Sequence, residues 1–239
     1  VIDAIRSEWI KFCSVRSTVL LLLGSGALTI GIGLLAIANK PTRTVYHLAD
    51  ATAGVQLSVV LFGALGVQII GQEYRFNTIR TTFAAQPDRW RVLAAKLVVV
   101  VATTTAVAFA MTLVCLLMAQ VFLDPFRFDG TDLRMLWGIP LFAAGWSALG
   151  LGVGAILRQP IAGIIVVLVE GLLVEPIIGQ LFTGTQRFLP FLNGFQMTAR
   201  NDNRGDVGFQ SVLGGGIYFF VVVAIVLAVG LVLAQRRDA

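Results

Sequence analysis

Residues 214–234 read GGGIYFFVVVAIVLAVGLVLA, without a single charge. A helix rises ~1.5 Å per residue, so ~20 apolar residues cross a hydrocarbon core of ~30 Å. This stretch has that length. Five comparable runs precede it, at 18–38, 53–71, 93–120, 136–157 and 161–181. A soluble chain of 239 residues cannot bury six such runs in one core. Mean hydropathy is +0.86, with 57% hydrophobic and 13% charged residues. The bilayer is therefore the solvent. Backbone groups in lipid must bond internally, so each run is expected as a helix. The expected fold class is an all-α polytopic membrane protein with six transmembrane helices.

Residues 1–239 are read as one transmembrane domain, because no polar stretch of about 50 residues is left for a soluble one. Asp3, Arg6, Glu8 and Lys11 precede a span-length run, which is not the layout of a signal peptide. The net charge of +5 comes from basic residues beside spans, so nucleic acid is not the expected partner. Cys13 and Cys115 form no CxxC and are not expected to pair. His47 reads as an ordinary loop residue, and no metal-ligand spacing is present. Gly-x-x-x-x-Gly-Lys-Ser/Thr is missing, so no phosphate cradle of that kind is expected. The string around Ser147 lacks the closing glycine of Gly-x-Ser-x-Gly. Neither a catalytic residue nor a cofactor is expected in this chain.

Six spans put both termini on one side. That side carries Arg6, Lys11, Arg16, Arg75, Arg80, Arg89, Arg91, Lys96, Arg158, Arg236 and Arg237, eleven basic residues against seven opposite. Lys and Arg accumulate on the cytoplasmic side, so both termini are expected in the cytoplasm and the chain in the cell membrane, multi-pass.

Two segments on that side have a pattern of their own. In 1–17, Ile2, Ile5, Trp9 and Phe12 recur at helical spacing among Asp3, Arg6, Ser7, Lys11 and Ser14. That predicts an amphipathic helix in the membrane interface, with Trp9 at headgroup level and Lys11 and Arg16 nearby. In 72–91, Asn77 can cap a short helix through Ala85, and Pro87 stops it. Asp88 can cap the next helix, with Arg89, Arg91 and Lys96 snorkelling toward the headgroups.

The string Glu73-Tyr74-Arg75, then Asn77-Thr78-Ile79-Arg80-Thr81-Thr82, then Pro87-Asp88-Arg89-Trp90-Arg91 and Lys96, resembles the loop after the second span of type-2 ABC transporter permeases. Ser7-Glu8-Trp9-Ile10-Lys11 and 14–18 resemble the N-terminal connecting helix of that family. Asn77 stands where such permeases often carry glycine, and asparagine also tolerates left-handed backbone. The resemblance implies the membrane subunit of an ATP-driven exporter. It implies a coupling helix, with Glu73, Arg75, Asn77, Thr78, Ile79, Arg80 and Thr81 docking a separate P-loop ATPase present in two copies. ATP and Mg would belong to that partner, and a second permease subunit, identical or related, would complete the pathway. The substrate implied is hydrophobic or amphipathic.

Within the spans, ionisable groups are functional candidates. Glu170 falls near the middle of the fifth span and Glu175 nearer its outer end; five residues apart, they are expected on different faces. Glu170 reads as facing the pathway, and Glu175 as supporting an outer gate with Arg187, or both as structural. Pro176 is expected to kink or end the helix, and Glu-Pro here again resembles the permease family. Gln56 and Gln68 are further pathway candidates, although helix-to-helix bonding explains them equally. Gly150 and Gly154, and Gly24, Gly26, Gly31 and Gly33, predict close helix packing. The outer segment 182–213 reads as an apolar half dipping into the leaflet and a polar half at 201–206, a layout that resembles the family's external re-entrant segment. A proton-coupled carrier or channel using Glu170 is the alternative to ATP-driven export.

Overall fold

The computed structural model describes residues 2–39, 45–79, 89–200 and 211–236. The elements are α1 (Ile2–Ser14), α2 (Arg16–Ala38), α3 (Leu48–Ala51), α4 (Val55–Arg75), α5 (Arg89–Phe122), α6 (Gly130–Leu157), α7 (Pro160–Val169), α8 (Glu175–Leu181), α9 (Pro190–Phe195) and α10 (Val212–Arg236). Among the described residues there is no strand, only an isolated bridge between Tyr46 and Phe126. Six helical segments are long and apolar enough to cross a membrane: α2, α4, α5, α6, α7 with α8, and α10. The chain is an all-α polytopic membrane protein.

Burial sorts the six. The apolar window of α6 is 83% buried and that of α4 72%, against 22–33% for the other four. So α4 and α6 form the centre and the others clothe them. Small residues make the contact possible. A Cβ on Gly66 would run into the carbonyl of Ser147, and one on Gly150 into the carbonyl of Gly63. At Gly154 a Cβ would lie 2.8 Å from the carbonyl oxygen of Val67. The Gly150–Gly154 pair thus acts as packing spacers, as expected. The glycines of α2 divide. Gly33 backs onto the carbonyl of Ala51, whereas Gly26 and Gly31 meet nothing within 4 Å.

The helices run past the apolar strings at their polar ends. α4 continues to Arg75, four residues beyond the predicted run, and α6 begins at Gly130. Hydropathy falls at charged residues, but helical hydrogen bonding does not. Asp129 caps α6, accepting from the N–H groups of Thr131 and Asp132, while the Asp132 carboxylate accepts from the N–H of Asp129.

The fifth span departs from expectation. Pro176 does not end it, since the helix continues to Leu181. A π-turn over Glu170–Val174 joins α7 to α8, with the N–H of Glu175 bonded to the carbonyl of Glu170. Such an i→i+5 turn stacks residues five apart. Glu170 and Glu175 therefore lie toward one face, not on the separate faces that a uniform α-helix predicts.

Residues 182–200 are more folded than a loop. Residues Thr183–Phe188 form a 3₁₀ turn and α9 follows. Phe191 of α9 sits 5.2 Å from Phe142 and 4.7 Å from Trp146, ring centre to ring centre. The apolar half is thus packed into the bundle between α6 and α10. The polar half, 201–206, lies outside the described residues.

Candidate functional site

Helices α1, α4 and α5 meet at one end of the bundle. Ala4, Glu8 and Phe12 recur every four residues and form the buried stripe of α1. Ile2, Trp9 and Ile10 are exposed. The face of α1 turned to the bundle is therefore centred on Glu8, not on the Ile2, Ile5, Trp9 and Phe12 set. α1 stops at Ser14 because Val15 is extended (φ −90°, ψ 113°), and α2 starts at Arg16.

Glu8 meets a lysine 88 positions away. Lys96 Nζ donates to Glu8 Oε2 at 2.6 Å and to Glu73 Oε1 at 2.7 Å. Lys11 Nζ donates to Glu8 Oε1 at 2.8 Å and to Glu73 Oε1 at 3.0 Å. Lys96 is 1% exposed, so it does not snorkel to a headgroup layer. With two carboxylates against it, burial is the better arrangement. Glu73 is 8% exposed and turned into this cluster. Burial lowers the Lys11 pKa, but its hydrogen bond to Glu8 and the charges of Glu73 and Glu8 outweigh that and raise it. Arg89, another expected snorkelling residue, donates to the carbonyl of Gln235 at 2.8 Å and caps the end of α10.

After α4 the chain turns sharply. Phe76 N–H bonds the carbonyl of Gln72, and Asn77 N–H that of Tyr74. Asn77 is left-handed, at φ 54°, which asparagine accepts far better than a β-branched residue. Helical backbone resumes at Thr78 and Ile79. Ile79 is 3% exposed and packs on Val92 and Tyr74, so it anchors the turn and is not offered outward. Arg75, Phe76, Asn77 and Thr78 are exposed. Phe76, which sequence reasoning passed over, is 65% exposed with the Arg75 guanidinium 5.5 Å from its ring centre. Arg80 and Thr81, the rest of the expected coupling helix and the Asp88 cap lie outside the described residues.

A cavity of about 760 Å³ lies beside the cluster. Its walls come from α1, α2, the end of α4, the turn and α5. Glu73 is among its lining residues, and Glu73 Oε2 is buried with no hydrogen-bond partner among the described residues. Gln68 and Gln72 both donate to the Ser17 hydroxyl, the latter at 3.2 Å. Gln68 therefore ties α4 to α2. Gln56, half-buried at the start of α4, lies twelve residues or ~18 Å along the helix from it. The two glutamines do not share a site in one copy of the chain.

Glu175 is fully buried, and both oxygens accept backbone N–H groups, of Phe191 and Leu192, at 2.8 Å each. It caps α9. Arg187 instead lies over the Phe188 ring, 4.8 Å from its centre. Glu170 is half-buried where the π-turn begins.

At the opposite end, His47 is more than a loop residue. Its Nδ1 lies 3.1 Å from the carbonyl of Arg127 and 3.5 Å from Asp132. His47, Asp129 and Asp132 each bring a possible metal-ligating atom within 4.8 Å of the others. Backbone N–H groups already hold both oxygens of Asp132, those of Leu48 and Asp129, and the Arg200 guanidinium stands 2.8 Å from Asp129. The arrangement is a folding corner. No spacing in the sequence announces it, because His47 and Asp129 lie far apart in the chain. No family model matches this chain, and no curated protein matches it.

Proposed function

We propose that this chain is the membrane subunit of an ATP-driven exporter, two permease copies working with two separate P-loop ATPase subunits. One observation carries the reading. A largely buried four-charge cluster, with only Lys11 reaching the surface, fastens the N-terminal helix, the end of α4 and the first turns of α5 into a single piece. In this reading α1 lies in the cytoplasmic interface and the turn reaches below the membrane. A force on Arg75, Phe76 and Thr78 would pass through Glu73 and Lys96 to α1 and α5 together. ATP-driven closure of the partner subunits would supply that force and rock the halves apart. The resemblance of 72–91 to a coupling loop points the same way.

The test is affinity purification of the tagged chain from its native membrane in mild detergent, with mass spectrometry of what accompanies it. A P-loop ATPase should co-purify. It should be lost when Arg75, Phe76 and Thr78 are replaced together by alanine, with the melting temperature unchanged, since all three are exposed. A stable chain with no ATPase in any mild detergent would sink the reading.

The π-turn beginning at Glu170 favours a second reading, proton-coupled transport, because π-bulges are frequent at functional sites. Proton uptake into proteoliposomes that Glu170→Gln abolishes would support it.

A further inference from the structure

We propose that a second copy of this chain packs on the face of the fifth span around Glu170, with the two Glu170 carboxyls meeting across a two-fold axis and bonding to each other. The proposal rests on the two-copy part of the function proposed above and needs no ATPase.

Three observations carry it. The first is a carboxyl without a partner. Glu170 stands near the middle of an apolar segment of 22 residues, Pro160–Leu181. It is half-buried and makes no hydrogen bond or ion pair with any described residue. Carboxyls at that depth turn to protein or to a water-filled space, and not to lipid.

The second is that this copy of the chain does not cover it. Gly163, Val167, Gly171, Glu175 and Gly179 recur every four residues and form the buried stripe of the span. Gly163 is set against Val67 and Gly171 against Val60, so the stripe is taken up by α4. Glu170 sits at its edge, and Val166, Val169 and Leu173, all within one turn of it, are exposed. Glu175 accepts backbone N–H groups at both oxygens and offers Glu170 no donor.

The third is the chemistry of a match. The exposed residues within a turn of Glu170 are aliphatic, so the partner surface must be apolar around one group that can both give and take a hydrogen bond. A neutral carboxyl does both. Its fullest partner is another carboxyl, because two O–H···O bonds then close a ring. A two-fold axis sets a residue against itself, so a second copy supplies that group and the aliphatic surround together. Polar side chains bonded across helices are a recognised glue inside membranes.

Cross-linking of the full chain in its native membrane tests it. Cys13 and Cys115 are first replaced by serine. Single variants Val166→Cys and Leu173→Cys then probe the face, with Leu117→Cys on α5 and Val229→Cys on α10 as exposed controls. A short bismaleimide should link two copies at the first two positions and not at the controls. Glu170 is intact in all four chains. Adding Glu170→Leu to Leu173→Cys should weaken association about five- to thirtyfold, the range for polar bonds between membrane helices. Glu170→Gln should keep most of the linking, since an amide also donates and accepts. If Glu170→Leu fails to accumulate in the membrane, the Val166 and Leu173 links decide. Linking at Leu173 no stronger than at Leu117 overturns the proposal. So does linking that a well-folded Glu170→Leu chain leaves unchanged, because the face would then pair without the carboxyl. A linked dimer from which no ATPase co-purifies keeps this proposal and sinks the exporter. An ATPase complex whose Leu173→Cys copies never link does the reverse.

Discussion

The two ends of the bundle each gather a cluster of charges, and they use them differently. At the α1 end, two lysines and two glutamates bond to one another across three helices. One glutamate oxygen, Glu73 Oε2, is buried without a partner among the described residues, and a cavity adjoins the cluster. At the His47 end, the aspartates bond mainly to backbone N–H groups, and Arg200 takes up the remaining charge. Charges that cap backbone are consumed by the fold. Charges that pair across helices hold parts together while keeping capacity for a push. That contrast is why the α1 end is the functional candidate and the His47 corner is not.

The largest effect should come from Lys96→Met. It leaves Glu8 and Glu73 with only the exposed Lys11 between them and removes their buried cation, and breaking a buried pair costs about 3–5 kcal/mol. Loss of a monodisperse peak, or a large fall in melting temperature, is expected. A variant as stable as the parent would show that the cluster does not bind the helices together. Next comes Asp132→Ala, which orphans the N–H groups of Leu48 and Asp129. About 2 kcal/mol should be lost, with hydrogen exchange in α1 unchanged. If protection in α1 fell as well, the two ends would not be independent.

Glu175→Gln should cost about 1–2 kcal/mol, because the amide keeps one of the two acceptors that cap α9. Limited proteolysis between α8 and α10 would report the loosening. Unchanged cleavage would mean that the aromatic contacts of Phe191 hold α9 unaided.

The smallest effect separates the ends by pH. Partial burial raises the Asp129 pKa, but the N–H of Asp132, the Arg200 guanidinium and the N–H of Thr131 together hold it below 3.8. A depressed carboxyl stabilises the fold above its unfolded value and loses that contribution as pH falls through the folded one. For Lys11 the folded pKa is raised above 10.5. Its contribution is complete below 10.5 and fades as pH rises through the folded value. Acid should therefore loosen the His47 end first, and alkali the α1 end. Hydrogen exchange at the two ends across pH 3 to 11 would read this as a small crossover in protection.

The sequence made the helices legible and the sites much less so. Hydropathy located every span, since an apolar run of sufficient length is a local property. It misplaced the role of Lys96, because snorkelling is the rule for a lysine near a span end, and the two carboxylates that override it, Glu8 and Glu73, lie 88 and 23 positions away. Asn77 reads as a helix cap in the sequence; its left-handed turn was legible only as a conformation that asparagine tolerates. Ile79 was not legible as an inward anchor, because that depends on Val92 across the loop. The pairing of His47 with Asp129 and Asp132 left no trace in spacing.

What this sequence determined by itself is the solvent and the secondary structure. The thickness of hydrocarbon and the need to bond every backbone group act on each run separately. Only the tertiary structure decided which polar residues meet. Long-range contacts between helix ends follow from how α4 and α6 pack, and that packing rests on glycines whose partners no local pattern names.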